Sequence, residues 1–139
     1  MKTAIVYWSS TGNTEAMANA VAQGAEEAGA QADLIGASDF NSSMVSEYDS
    51  IALGCPSMGS EELEEAEFRP MFDDIKTSLQ SKKTALFGSY GWGDGEWMRN
   101  WQSECEENGI SLVADGVIAN EAPDDEAIEK CRELGKLLA

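Results

Sequence analysis

The chain of 139 residues contains no histidine, an absence that removes the commonest general base, the commonest metal ligand and every Ser–His or Cys–His catalytic pair. Cations are scarce as well: 9 Lys and Arg stand against 26 Asp and Glu, a formal net charge of −17. Such an excess repels nucleic-acid backbones and anionic membrane surfaces, and it favours a basic protein partner. No apolar stretch approaches the roughly 20 residues that a membrane span requires. The first eight residues run straight into a strand pattern without the cleavage region of a signal peptide. Three cysteines, Cys55, Cys105 and Cys131, are odd in number, unclustered and set among apolar residues. They read as small buried hydrophobes in a reducing cytoplasm. The length fits one domain over residues 1–139, and a monomer is the default expectation.

What is present is an alternation of strand and helix signals. Residues 3–8 (TAIVYW) form a β-branched and aromatic run, followed by a helical pattern over 14–28 that Gly29 ends. Residues 32–35 give a weak second strand, and 50–55 (SIALGC) a third whose continuous apolar character predicts burial on both faces. A helix starts near Phe68, with Pro70 tolerated because it falls in the first turn. Residues 84–88 (TALFG) are a fourth strand, and helical spacing returns with Trp97, Met98, Trp101 and Cys105 until Gly109. Residues 110–113 and 116–119 read as one fifth strand interrupted at Asp115–Gly116, before a last amphipathic helix carrying Ala127, Ile128, Cys131, Leu134, Leu137 and Leu138. Parallel strands need crossover helices, so this order predicts an α/β fold: a doubly wound, five-stranded parallel sheet with helices on both faces. Ligands of such sheets bind beyond the carboxyl ends of the strands, which directs attention to the loops after strands one, three and four.

Those three loops have unusual compositions. In the first, Ser9, Ser10, Thr11, Gly12, Asn13 and Thr14 bring four hydroxyls, an amide and a glycine to a helix start. Free N–H groups and the positive end of the helix dipole make this a cradle for a phosphate monoester. It lacks the Gly-Lys-Ser/Thr ending of a Walker loop and the three spaced glycines of a dinucleotide fingerprint; a hydroxyl-rich helix cap is the simpler alternative. In the second, Ser57, Met58, Gly59 and Glu61 follow Pro56. Gly59 adopts positive φ at no steric cost, Met58 offers a polarizable thioether to an aromatic ring, and Glu61 can accept from a ring N–H. In the third, Ser89, Tyr90, Gly91, Trp92 and Gly93 lead into Asp94, Gly95, Glu96 and Trp97. Trp92 among glycines is a stacking platform for a planar ligand, whereas Trp97, at core spacing with Trp101, is expected to pack inside.

Together, SSTGNT from Ser9, GCPSMGSEELEE from Gly54 and GSYGWGDGEWM from Gly88 give the chain its resemblance, over essentially its whole length, to short-chain flavodoxins of the clostridial and rumen-anaerobe type. The resemblance implies the strand order 2-1-3-4-5 and a non-covalently bound FMN. It implies that Ser9, Thr11, Gly12, Asn13 and Thr14 hold the FMN phosphate, and that Ser10, where close relatives often carry glycine, does not abolish binding. Met58 and Trp92 would flank the isoalloxazine, and Glu61 would meet its N3–H. Backbone groups around Ser89, Tyr90 and Gly91 would approach the pyrimidine edge and ribityl, with Asn120 at the ribityl hydroxyls. Gly59 would be the residue whose peptide reorients on reduction, turning its carbonyl toward N5–H of the semiquinone.

The implied function is that of a low-potential one-electron carrier, not an enzyme, shuttling between semiquinone and hydroquinone among basic redox partner proteins, both reductase-type donors and acceptors. A hydrogen bond made only after the first electron is worth about 0.5–1.5 kcal/mol, or roughly 20–60 mV. Against a second electron stand Glu61, Glu62, Glu64, Glu65, Glu67, Asp94, Glu96, Asp124 and Asp125. Several carboxylates near 10 Å, even heavily discounted for screening, depress the second potential by of order 100 mV, so acidity outweighs the single hydrogen bond. A pyridine-nucleotide or quinone reductase would need a substrate-covering insertion that 139 residues do not leave room for. A phospho-acceptor domain would need acids where the first strand ends in Trp8, Ser9 and Ser10.

Overall fold

In a computed structural model describing residues 1–139, β1 (Lys2–Tyr7) leads to α1 (Asn13–Glu27) and β2 (Gln31–Gly36). Two short 3₁₀ turns, Ala37–Asp39 and Ser42–Glu47, connect β2 to β3 (Ser50–Gly54). There follow α2 (Phe68–Ile75), β4 (Lys83–Tyr90), α3 (Glu96–Glu107), β5 (Val117–Asn120) and α4 (Asp125–Leu138). All neighbouring strands pair parallel in the order β2-β1-β3-β4-β5, as expected.

The two faces of the sheet are covered differently. On one, α2, α3 and the 3₁₀ segments bury aromatics: Phe68 and Phe72 each meet Trp101 edge-on, with ring centroids 5.4 and 6.0 Å away. The three apolar residues Phe40, Val45 and Tyr48 complete this layer, so a crossover without an α-helix still covers the sheet. On the other face α1 and α4 pack through small residues. Gly24 of α1 lies against the backbone of Arg132, and Gly135 of α4 lies against the backbone of Val21 and Ala25. A methyl at either position would collide with backbone, not with a movable side chain, and overpacking of this kind costs about 1–3 kcal/mol or more.

The fifth strand differs from its expected extent. Only Val117–Asn120 joins the ladder, while Leu112 makes a single bridge to Thr84. Between them the Gln102 side chain takes the N–H of Gly116, drawing the chain off the strand path. The cysteines are free and buried, and burial pushes each thiol up to about 12. No helix is long and apolar enough to cross a membrane.

Candidate functional site

Strand order reverses at β1, which has β2 on one side and β3 on the other. A crevice opens there at the carboxyl edge. A cavity of about 500 Å³ lies in it, lined by Ser10, Thr11, Asn13, Ser57, Met58, Ser89, Tyr90 and Gly91 from all three unusual loops. Pro56, Glu121 and Ala122 line it too. Pro56 heads the second loop; Glu121 and Ala122 do not stand out in the sequence, and only the strained backbone of Glu121 (φ 56°), held by its N–H to Tyr90 O at 2.7 Å, marks it in the fold.

The first loop is clamped from within. Ser9 Oγ accepts from the N–H groups of Gly12 (3.2 Å) and Glu15 (3.3 Å). Gly12, at φ 93°, turns the chain into α1, a conformation that costs a side-chain-bearing residue about 1–3 kcal/mol. The backbone N–H groups of Ser10, Thr11, Asn13 and Thr14 make no hydrogen bond within the chain. They crowd the positive end of the helix, a ready anion site. Thr14 is placed differently from its loop neighbours: it is 1% exposed, and its hydroxyl shares a hydrogen with Ser89 Oγ (3.2 Å) and accepts from Ser89 N (3.4 Å). Its side chain therefore ties the first loop to β4.

The second loop is a tight hairpin. Met58 and Glu62 exchange both backbone hydrogen bonds at 2.8 Å, and Ser57 N–H donates to Ser89 O at 2.9 Å. The tip, residues 59–61, hangs beyond this closure with Gly59 at φ 54° and Glu61 at φ 57°. The Gly59–Ser60 peptide makes no hydrogen bond at all. The carboxylate of Glu61 lies against Gly93 of the third loop, and its Oε1 is buried without a partner. A buried acceptor left unpaired costs about 1–3 kcal/mol. Strain and an unmet acceptor thus coincide in one residue of the loop whose Ser57 and Met58 line the cavity.

Glu64 has a role that its place in an acidic run conceals. Its carboxylate points inward and accepts from the N–H groups of Ala66, Glu67 and Phe68 at 2.7–2.8 Å, capping α2. Burial raises its pKa, but those three donors outweigh burial and hold it below the ordinary glutamate value. Among the other acids grouped by sequence, Asp94 is bound by Arg99 at 2.9 Å and its pKa is lowered by that guanidinium. Asp124 caps α4 through the Ala127 N–H. Glu62, Glu65, Glu67, Glu96 and Asp125 are exposed.

In the third loop Trp92 is 64% exposed, whereas Trp97 is 2% exposed. The Trp97 ring sits 5.5 Å from Tyr90, and its indole N–H donates to Cys55 O at 3.2 Å. Core packing for Trp97 is therefore as expected. Asn120 donates from Nδ2 to Tyr90 O at 3.3 Å and lines an adjoining hollow, not the main cavity. The sequence thus brings Ser10, Thr11, Asn13, Ser57, Met58, Ser89, Tyr90 and Gly91 to one crevice. Ser9, Gly12, Thr14, Glu61, Trp92 and Gly93 belong to the same three loops but do not line the cavity, Gly59 lines a separate hollow, and Asn120 lines the adjoining one.

Comparison with known proteins agrees with this geometry. The Flavodoxin family model matches residues 5–135. The chain is 47% identical to a flavodoxin of Megasphaera elsdenii over 97% of its own length and 96% of the relative's. It is likewise 47% identical to a flavodoxin of Clostridium beijerinckii, covering 97% of both. The solution structure of two-electron reduced M. elsdenii flavodoxin superposes with a TM-score of 0.86 at 44% identity, covering 98% of this chain and 97% of that one. With the crevice, the unpaired N–H groups of the first loop and the full-length match in hand, the chain belongs to the flavodoxins, the family of FMN-binding electron-transfer proteins that are carriers and not enzymes.

Proposed function

We propose that this chain is a low-potential one-electron carrier that holds one FMN non-covalently at the crevice and passes electrons between basic partner proteins in the cytoplasm. Residues 1–139 act as a single FMN-binding domain and as a monomer. The observation that carries the reading is the buried, unpartnered Oε1 of Glu61, an acceptor suited to the N3–H of a flavin ring. The unpaired N–H groups of the first loop suit a phosphate.

The residues fit FMN as follows. Ser10, Thr11, Asn13 and Thr14 donate to the phosphate through backbone N–H groups, while Ser9 and Gly12 hold the loop in shape. Met58 and Trp92 flank the isoalloxazine. Ser57, Ser89, Tyr90, Gly91 and Gly93 approach its pyrimidine edge and the ribityl chain, and Asn120 reaches the ribityl hydroxyls. FMN, when bound there, would supply single-electron exchange. The Gly59–Ser60 peptide, free of hydrogen bonds, would be able to turn its Gly59 carbonyl toward flavin N5–H. The exposed carboxylates Glu62, Glu65, Glu67, Glu96 and Asp125 surround the site with negative charge. They oppose the second electron and draw a basic partner to the exposed ring edge.

The test is an anaerobic reductive titration of the purified protein followed by absorbance. A yellow holoprotein that passes through a long-wavelength blue form before bleaching is expected. A colourless protein that leaves FMN fluorescence unquenched would overturn the reading. Direct bleaching without the blue form would replace it with a two-electron reductase.

A further inference from the structure

Two residues with positive φ meet between the second and third loops: Glu61 at φ 57° and Gly93 at φ 86°. The Glu61 carboxylate occupies the place that a side chain on Gly93 would take. A methyl on Gly93 would overlap Oε1 of Glu61 and stand 2.5 Å from its Cδ and 3.1 Å from Oε2. All three atoms belong to the end of a flexible side chain and none to backbone, so an added methyl can be accommodated by pushing the carboxylate aside. Of the glycines at 91, 93 and 95, only Gly93 faces a carboxylate. A methyl on Gly91 would meet nothing within 4 Å, and one on Gly95 would meet Ile118 Cδ1 at 3.2 Å and the Arg99 guanidinium at 3.7 Å.

Nothing else holds the carboxylate. Oε1 is buried without a hydrogen-bond partner, and no cation pairs with Glu61. Arg99 of α3 is taken by Asp94, at 3.0 Å from its carbonyl and 2.9 Å from Oδ1. The place of the Glu61 carboxylate is thus set by the room that Gly93 leaves, with the acceptor still free. Glu61 follows Ser57 and Met58 along the second loop, and Gly93 follows Gly91 along the third; those three neighbours line the crevice.

We infer that Gly93 is a positioning residue that acts through Glu61: its missing side chain is the space that keeps the Glu61 carboxylate where it can accept from the ring N3–H of FMN. The inference rests on the carrier reading above and deepens it, because it assigns selection of the N3–H to a pair of loops and not to Glu61 alone. A site built to accept from a donor rejects an analogue that lacks it, since the buried oxygen then stays unpaired. The pair should therefore discriminate against a flavin methylated at N3, and a side chain at residue 93 should abolish that discrimination.

The probes are FMN and 3-methyl-FMN, in which a methyl group replaces the N3 hydrogen, each titrated with the full chain and followed by quenching of flavin fluorescence. The readout is the ratio of the two dissociation constants, from which any uniform change in affinity cancels. In the native chain 3-methyl-FMN is expected to bind about 10- to 100-fold more weakly than FMN. Gly93→Ala should lower the ratio to the value found for Glu61→Ala, and the double variant should match both. Gly95→Ala, which also strains a backbone at positive φ (94°) but does not meet Glu61, should keep the native ratio. A native ratio in Gly93→Ala, or an equal fall in Gly95→Ala, would overturn the inference. If Gly93→Ala does not fold, the double variant decides. Recovery of folding on removal of the carboxylate bears the inference out, whereas two unfolded variants would overturn it by assigning the glycine to its backbone angle alone. A native chain that binds neither flavin would overturn the carrier reading, while one that binds both equally would overturn only this inference.

Discussion

Two loops meet at the carboxyl edge of the sheet and are built on opposite plans. Segment 9–14 uses its one internal clamp, Ser9 Oγ, to fix its own shape and leaves its remaining N–H groups free as a set. The hairpin of the second loop fixes its base through Met58 and Glu62 and leaves its tip unheld at the Gly59–Ser60 peptide. The first arrangement suits an anion whose charge and position stay constant. The second suits a ring whose protonation changes with its redox state. A carrier needs both properties at once: affinity in every state, and a preference between states. The difference teaches that the two can be separated in the chain, one to each loop, because each loop has its own hydrogen bond to Ser89 of β4.

The largest effect should come from removing the anchor that follows the hairpin. Glu64→Ala strips the cap from α2 and leaves three backbone donors unmet, for an expected loss of about 2–3 kcal/mol in unfolding free energy. A lower urea midpoint at unchanged slope would register it. The pH dependence has a definite sign. Because its backbone donors hold the folded Glu64 pKa below the ordinary value of 4.5, its stabilisation is complete above that value and is lost as pH falls through the folded pKa. The stability gap between the native chain and Glu64→Gln should therefore close in acid. A gap of constant size down to the acid transition would mean that the carboxylate contributes by shape alone.

This cap also shows where the sequence stops being legible. In the run from Glu61 to Glu67, five carboxylates look alike as letters, and charge counting assigns them all to one solvated field. The fold turns Glu64 inward because the next three N–H groups need an acceptor, and it buries Oε1 of Glu61 against Gly93. Thr14 is a similar case, since nothing local indicates that its hydroxyl faces Ser89, 75 residues away. The strands and loops, by contrast, were legible because continuous apolar runs and abrupt polar breaks are local signals. The 3₁₀ crossover carrying Phe40, Val45 and Tyr48 left no period to detect, and the close approach of Gly24 and Gly135 depends on two helices meeting. The start of β5 follows Gly116, whose N–H is taken by Gln102 from another element altogether.

A change confined to the first loop should affect affinity without affecting preference. Gly12→Val places a β-branched residue at φ 93°, a strain of about 1–3 kcal/mol that FMN binding must help to overcome. The dissociation constant measured by FMN fluorescence quenching should rise roughly 5- to 150-fold. Both reduction potentials of the protein saturated with FMN should stay close to the native values, because every redox form carries the same phosphate. A shift of either potential comparable to the loss in affinity would show that the two loops are coupled and would remove the distinction drawn between them.

The reciprocal change is smaller and more discriminating. Gly59→Thr puts a branched side chain at a position with φ 54°, so the peptide that follows turns less readily toward N5–H. If the hydrogen bond it makes contributes about 0.5–1.5 kcal/mol, its loss lowers the first potential by roughly 20–60 mV. Affinity for oxidised FMN should change little, since the unpaired N–H groups of the first loop are untouched. Gly59→Asn should fall between the native chain and Gly59→Thr, because asparagine tolerates the left-handed region better than other side chains. That graded order is the informative part. Strain at the tip predicts glycine, asparagine and threonine in descending first potential. A mere change in solvent access would instead follow side-chain size and would move the second potential as well. A first potential indifferent to all three residues, with FMN still bound, would place redox preference outside the hairpin and leave the acidic surround as its source.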